Sequence, residues 1–368
     1  MTMPPLHHLP PRDEMLRAFL ERDAAYDGLF WTGVRTTGIF CRPTCTARKP
    51  KPENVEFFAE SGQALFAGYR PCKRCRPLRP SGAVPEWIEP LLARIESDPE
   101  RRLRDADLRD MGLQPARVRR WFKDTHGLTF HGYQRARRLG GALDEIRRGR
   151  RVSPTAFDHG FDSLSGFNAA FARIVGDAPT RSTDRRPIWI GRILTPLGPM
   201  VTAASDEGLH LLEFADRRQL ETQFARLVRR TKGVPVPGEH PLHERAREEL
   251  TRYFEGDLSE FTLPLAPAGT EFQQAVWTAL RGIPYGATRS YAEQARSMGR
   301  PTAVRAVARA NGDNPLAIIV PCHRVVGSDG SLTGYGGGLH RKRWLLDLEN
   351  GLLPPTLARA ESPLHSSP

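Results

Sequence analysis

The chain is poor in cysteine: five in 368 residues, too few for a disulfide scaffold of this length. It has no apolar run near the ~18 residues that a membrane span requires, and its start lacks the pattern of a secretory signal. Membrane association is therefore not expected, and a reducing cytoplasm is the default compartment. The chain also lacks acidic excess. Lys and Arg number 54 against 42 Asp and Glu, a formal charge of +12. That surplus points to a polyanionic partner, nucleic acid first. An apolar share of 39% argues against wholesale disorder. The length suggests two to four domains.

The few cysteines are arranged. Cys41, Cys45, Cys72 and Cys75 read C-x3-C, a gap, then C-x2-C. Two close pairs joined by a folded segment are what tetrahedral thiolate coordination of one Zn2+ needs. The alternative is two redox pairs or free buried thiols. Arg35, Arg42, Arg48, Arg70, Lys73, Arg74 and Arg76 crowd the two pairs. A zinc held by four thiolates carries about −2, which such cations offset. They also suit a phosphate backbone.

Residues 1–11 are rich in Pro and His and read as loose, as does the tail 353–368. "RPLRPSGAVPE" has linker composition. Residues 86–182 read as helices. Val118, Trp121 and Phe122 share one face of a helix ended by Gly127, and Phe161, Phe167 and Phe171 follow, with Ser163 and Ser165 as candidate caps. Between 101 and 151 there are 15 basic residues against six acidic, interleaved with the aromatic core positions. This suits helix-turn-helix units on a duplex, with recognition helices near 115–125 and 163–174. From about 188 the pattern changes to an antiparallel sheet, "IWIGRILTPLGPMVTAASDEGLHLLEF", followed by two amphipathic helices.

Cys322 stands alone in "AIIVPCHRVVGSDG", with Pro321 before it and His323 after it. A buried inert thiol is the plain reading. An adjacent imidazole that takes its proton, directly or through water, is the functional one. Upstream, the third of three helices (about 301–311) is slimmed by Ala303, Ala306, Ala308 and Ala310 and projects Arg305 and Arg309. Such a helix fits a narrow groove.

Three resemblances cover most of the chain. "VRTTGIFCRPTC", "KPENVEFF" and "GYRPCKRC" resemble the zinc domain of the Ada family. The resemblance implies that Cys41 is both zinc ligand and methyl acceptor from methylphosphotriesters, and that Thr37, Arg48 and Arg70 contact DNA. Thr46 departs from the arginine common after the second cysteine. "GLQPARVRRWFKDTHGLTFHGYQRARRL" and "AFDHGFDSLSGFNAAFARIVGDAPT" resemble the AraC-type DNA-binding domain. Asp107 and Leu108 depart from that pattern and predict looser packing of the first unit. "VPCHRVV", "SYAEQA", "AVRAVA" and "GYGGGLHRKRWLLDLE" resemble the O6-alkylguanine-DNA alkyltransferases.

That last resemblance implies the following roles. Cys322 is the alkyl acceptor, kept as a thiolate, with His323 and Glu349 activating it through a water. Tyr291 serves the leaving guanine, Arg305 fills the gap in the base stack and Asn314 braces the active-site turn. Tyr335 lines the base pocket, and Arg324 joins the DNA-binding set. Gly336 stands where a hydroxyl residue often meets the base oxygen; a backbone amide would do that here.

The expected fold class is α+β multidomain: a small zinc-binding α/β module (12–80), an all-α double helix-turn-helix (86–182), a ribonuclease-H-like small sheet domain (188–264) and a winged-helix alkyltransferase domain (268–350). The expected function is DNA-alkylation repair joined to transcriptional activation, with methyl taken irreversibly from phosphotriesters by Cys41 and from O6-methylguanine and O4-methylthymine by Cys322. Double-stranded DNA and RNA polymerase are the implied partners of a monomer associated with the nucleoid. The alternative is a DNA-binding regulator with structural zinc and a lesion-sensing, non-transferring C-terminal half.

Overall fold

The computed structural model describes residues 9–23, 26–27, 29–78, 84–182, 184–217 and 219–352. The tail expected over 353–368 lies outside them, as do residues 1–8. No helix among the described residues is long and apolar enough to cross a membrane.

The first unit sets helix α1 (Arg12–Glu21) against a four-stranded sheet of β1 (Trp31–Val34), β2 (Ile39–Cys41), β3 (Val55–Phe58) and β4 (Arg70–Pro71), with α2 (Ser61–Phe66) between the last two. The strand order is β3-β1-β2-β4, and only β2 and β4 run parallel. Gly33 in β1 leaves room for rings: a Cβ there would lie 2.8 Å from Phe58 and 2.9 Å from Tyr69. Cys41 ends β2 and Cys72 follows β4, so the parallel pairing carries the two cysteine pairs to one end of the sheet.

Six helices follow: α3 (Glu89–Ser97), α4 (Asp105–Asp110), α5 (Pro115–His126), α6 (Phe130–Arg147), α7 (Val152–Asp158) and α8 (Leu164–Val175). Pro115 opens α5, where its missing N–H costs nothing, and Gly127 closes it at φ 68°. Ser163 caps α8 by accepting from Gly166 N at 3.1 Å, whereas Ser165 lies within the helix. The looser packing expected of the first unit is not found. Leu108 is fully buried with Val118, Phe122 and Phe130, and Asp107 accepts from Arg104 N at 2.6 Å, capping α4.

The next sheet has the order β7-β6-β5-β8, from β5 (Pro187–Thr195), β6 (Gly198–Ser205), β7 (Gly208–Phe214) and β8 (Val234–Pro237), with α9 (Leu220–Thr231) and α10 (Pro241–Phe254) around it. Then come α11 (Glu271–Arg281), β9 (Arg289–Ser290), α12 (Tyr291–Ser297), α13 (Val304–Gly312), β10 (Val325–Val326) and α14 (Leu339–Glu349). One apolar core, including Met200, Leu212, Phe214, Tyr253, Trp277, Val307, Leu316, Val325 and Leu345, runs unbroken from the sheet into these helices. Residues of α6 and α8 share a second core with Val234 and Val236 of β8. There Gly140 lets α6 approach: a Cβ would lie 2.7 Å from Val236.

Two candidate cysteine centres

The sulfurs of Cys41, Cys45, Cys72 and Cys75 lie within 4.8 Å of one another, and those of Cys45 and Cys72 are 3.9 Å apart. Zinc–sulfur bonds of ~2.3 Å in a tetrahedron set sulfur–sulfur edges at about 3.8 Å. The crowding is also electrostatic. Hydrogen bonds from Cys41 and Cys75 draw the Cys45 thiol down to about 2, while the same contacts push Cys41 far up. Sulfurs this close hold several negative charges only around a cation, and soft thiolate donors suit zinc. The cluster therefore fits one Zn2+.

The polar side chains around this cluster divide into two groups. Thr37, Arg48 and Arg70 are exposed. Arg42 instead turns inward to Asp27 at 3.3 Å, with both side chains nearly buried. Arg74 donates to the carbonyl of Thr46 at 3.3 Å, so the main chain at that departing position holds an arginine from the second knuckle.

Cys322 opens a short 3-10 turn, Cys322–Arg324, after the apolar segment 316–320. Its thiol is buried. Asn314 donates to its sulfur at 3.1 Å and to Val320 O at 2.8 Å, and accepts from Leu316 N at 2.9 Å. This clamp surrounds Ile318 at φ 71°, a conformation that a β-branched residue adopts only when its surroundings impose it.

His323 Nε2 meets Glu349 Oε1 at 2.8 Å. Glu349 also accepts from Tyr253 Oη at 2.7 Å, from Arg324 Nε at 2.9 Å and from Gly286 N at 3.2 Å. Burial pushes its carboxyl up, but the bonds from His323 and Arg324 outweigh burial and bring it down to about 2. Glu349 is thus an anion, Nε2 carries the proton that it accepts, and Nδ1 is left as the basic nitrogen. Nδ1 is buried without a hydrogen-bond partner, as is the Tyr335 hydroxyl; the two rings meet edge to face at 6.4 Å.

Two expectations change. Arg324 is buried rather than at a DNA surface: Glu349 and the carbonyl of Ile283, at 2.6 Å, take its guanidinium. Cys322 is not held ionised at rest. Burial pushes its thiol up, and the hydrogen bond from Asn314 and the charge of Arg217 only oppose that rise. The imidazole beside it in sequence is turned to Glu349.

Tyr291, capped into α12 by Ser290, points its hydroxyl at the carbonyls of Thr333 and Gly334, each at 3.3 Å. Arg305 is exposed on α13. Three residues around this centre escaped the sequence reading: Tyr253, Arg217, and Lys342, which bridges the carbonyls of Val325 and Thr333 from a fully buried position. Nothing in the letters of "LHRKRWLLDLE" separates a buried lysine from an exposed one, so only the tertiary fold identifies Lys342.

Family models match four consecutive stretches. These are the metal binding domain of Ada (14–77), a helix-turn-helix domain (108–185), and the ribonuclease-like (190–267) and DNA-binding (271–351) domains of 6-O-methylguanine DNA methyltransferase. The bifunctional transcriptional activator/DNA repair enzyme Ada of Escherichia coli is 36% identical over 343 residues, 92% of this chain and 96% of that protein. The methylated-DNA–protein-cysteine methyltransferase of Mycobacterium tuberculosis is 48% identical over 163 residues, 44% of this chain and 93% of that protein. A crystal structure of M. tuberculosis OGT in complex with DNA aligns at 45% identity over 47% of this chain and 98% of that one, with a TM-score of 0.39. With a four-thiol cluster that fits zinc, paired helical units and a buried Cys-His-Glu centre in one chain, and with a bifunctional relative matched nearly end to end, this chain belongs to the Ada family of transcriptional activators and DNA-repair methyltransferases.

Proposed function

We propose that the chain takes up two methyl groups, each once. Cys322 receives one from O6-methylguanine, and from O4-methylthymine; Cys41 receives the other from a methylphosphotriester. The observation that carries the first is His323 Nδ1, buried, unpartnered and left with a free lone pair by the Nε2–Glu349 bond. It accepts the Cys322 proton through a water. The sulfur–methyl bond then forms as the methyl–oxygen bond breaks, and the electron pair leaves with the base. The base must first leave the stack, and Arg305, exposed on the slim helix α13, fills the space behind it. Tyr291 supports the departing base, Tyr335 lines its pocket and Asn314 fixes the turn that carries the sulfur. A thioether has no leaving group for regeneration, so each centre reacts once.

At the other centre Cys41, Cys45, Cys72 and Cys75 hold the metal. Zinc, when bound, keeps their sulfurs deprotonated and nucleophilic at neutral pH. A phosphodiester is anionic and repelled by this face, whereas a methylphosphotriester is neutral. Thr37, Arg48 and Arg70 contact the flanking backbone. Loss of one negative charge on methylation of Cys41 strengthens DNA binding by the same face and so links repair to activation by 86–182, with RNA polymerase as the partner of a nucleoid-associated monomer. The finer architecture is a zinc module (12–80), a double helix-turn-helix (86–182), a ribonuclease-H-like sheet domain (188–264) and a winged-helix domain (268–350).

Duplexes labelled at one lesion type test this reading. Cys322→Ala abolishes uptake from O6-methylguanine and leaves uptake from phosphotriesters intact, while Cys41→Ala does the reverse. Joint loss in either folded variant contradicts separate centres. Labelled DNA that leaves Cys322 unmodified supports the lesion-sensing, non-transferring alternative.

A further inference from the structure

Arg217 follows β7, and its side chain is 6% exposed. Its Nη1 donates to the carboxylate of Glu213, itself fully buried, and to Asn314 O at 3.2 Å; its Nη2 donates to Gly312 O at 2.5 Å. A guanidinium has five N–H groups, and these bonds use three. The remaining two, on Nε and Nη2, lie on one edge and have no acceptor among the described residues.

That edge occupies the space that a side chain at position 336 would need. A Cβ on Gly336 would lie 2.8 Å from Nη2 and 2.9 Å from Nε. Gly336 directly follows Tyr335, whose ring faces His323. Asn314 links the same arginine to the nucleophile: its carbonyl accepts from Arg217, and its amide donates to Cys322 Sγ at 3.1 Å. The charge of Arg217 acts on both Cys322 and Tyr335. Two donors are therefore left without an acceptor at Gly336, one residue (Asn314) removed from the sulfur, and are anchored from behind by a buried carboxylate and two carbonyls.

Guanine offers O6 and N7 as two acceptors on one edge, the pair that an arginine fork matches. We propose that Arg217 is a substrate-binding residue of the Cys322 centre, its Nε–Nη2 edge donating to O6 and N7 of the extruded alkylguanine beside Gly336. This rests on the reading of Cys322 as the acceptor. The thiol proton passes to His323 Nδ1 through water. Sulfur bonds to the methyl carbon, the carbon–O6 bond breaks, and its electron pair goes to the purine. The donor at O6 meets growing negative charge and so binds the transition state more strongly than the ground state. The proton held by His323 then returns to the purine, leaving neutral guanine and a thioether. Methylthymine has no N7, so Arg217 also favours guanine over thymine.

The test compares single-turnover methyl transfer to Cys322 from duplexes carrying O6-methylguanine or its 7-deaza analogue. Wild type loses roughly ten-fold or more on the analogue. The variant Glu213→Gln/Arg217→Met, which removes both buried charges together, is slow on both substrates and does not distinguish them. Arg217→Lys keeps the ion pair without the fork and shows a reduced analogue penalty. Phosphotriester uptake at Cys41, unchanged in each variant, verifies the fold. An analogue penalty absent in wild type, or equal in wild type and in Arg217→Lys, overturns the role of Arg217 alone. Absence of any transfer to wild-type Cys322 overturns the reading beneath it as well.

Discussion

His323 and Glu349 meet at 2.8 Å with neither side chain exposed to solvent. Glu349 balances the buried Arg324 with the same carboxylate that orients the imidazole. Glu349→Gln therefore removes two functions at once. It leaves a guanidinium without its counter-charge, which costs about 3–5 kcal/mol, and it no longer favours a proton on Nε2. Chemical denaturation should show the loss, and transfer to Cys322 should slow in conditions where the variant remains folded. A stable variant with wild-type transfer would contradict this role.

Acid should destabilise the C-terminal unit in two stages, and the sign follows from which state binds protons. Burial holds His323 below its ordinary ~6.5, so the unfolded chain gains a proton first and stability falls as pH drops below about 6.5. Glu349, held at about 2, contributes stability present above the unfolded value of about 4.3 and lost as pH falls through that value toward 2. Urea midpoints measured against pH check this. In Glu349→Gln the slope below about pH 4 should flatten; an unchanged slope would assign it to other carboxylates.

Asn314→Ala removes the clamp on the turn before Cys322. It leaves Val320 O and Leu316 N without their side-chain partners, at a cost of about 2–3 kcal/mol. It also removes the side-chain hydrogen bond that opposes the rise of the thiol. The alkylation rate of Cys322, followed by peptide mass mapping against pH, should shift to higher pH. A profile that does not move would reduce Asn314 to a purely structural brace.

Chelation separates the two centres. The zinc module has only small apolar cores, one around Phe19 and Phe30 and one around Phe40 and Tyr69. Without metal its folding free energy is largely lost. Phosphotriester uptake should disappear along with hydrogen-exchange protection of residues 31–75, while transfer to Cys322, whose core is separate, persists. Parallel loss of both activities would contradict this independence.

The zinc ligands were legible because coordination is local: a C-x3-C knuckle and a C-x2-C knuckle each show in a few letters. Helix α5 was legible for the same reason, with its apolar face and terminal Gly127 lying within one window. The supports of the second centre were not. Tyr253 reaches Glu349 across 96 positions and Arg217 reaches Asn314 across 97, and pairings that distant leave no periodicity. Arg324 entered the DNA-binding set through the resemblance alone. Only the fold shows that a carboxylate and a carbonyl enclose it. Leu108 was read against a family pattern, whereas the packing around it accommodates a full leucine.

Peptide-resolved mass spectrometry of the zinc-loaded chain, after exposure to duplexes carrying both lesions, tests the central claim most directly. The account predicts two added methyl groups per chain, one on Cys41 and one on Cys322, with Cys45, Cys72 and Cys75 unchanged. A folded, metal-bound chain that emerges with both of those thiols unalkylated would contradict it.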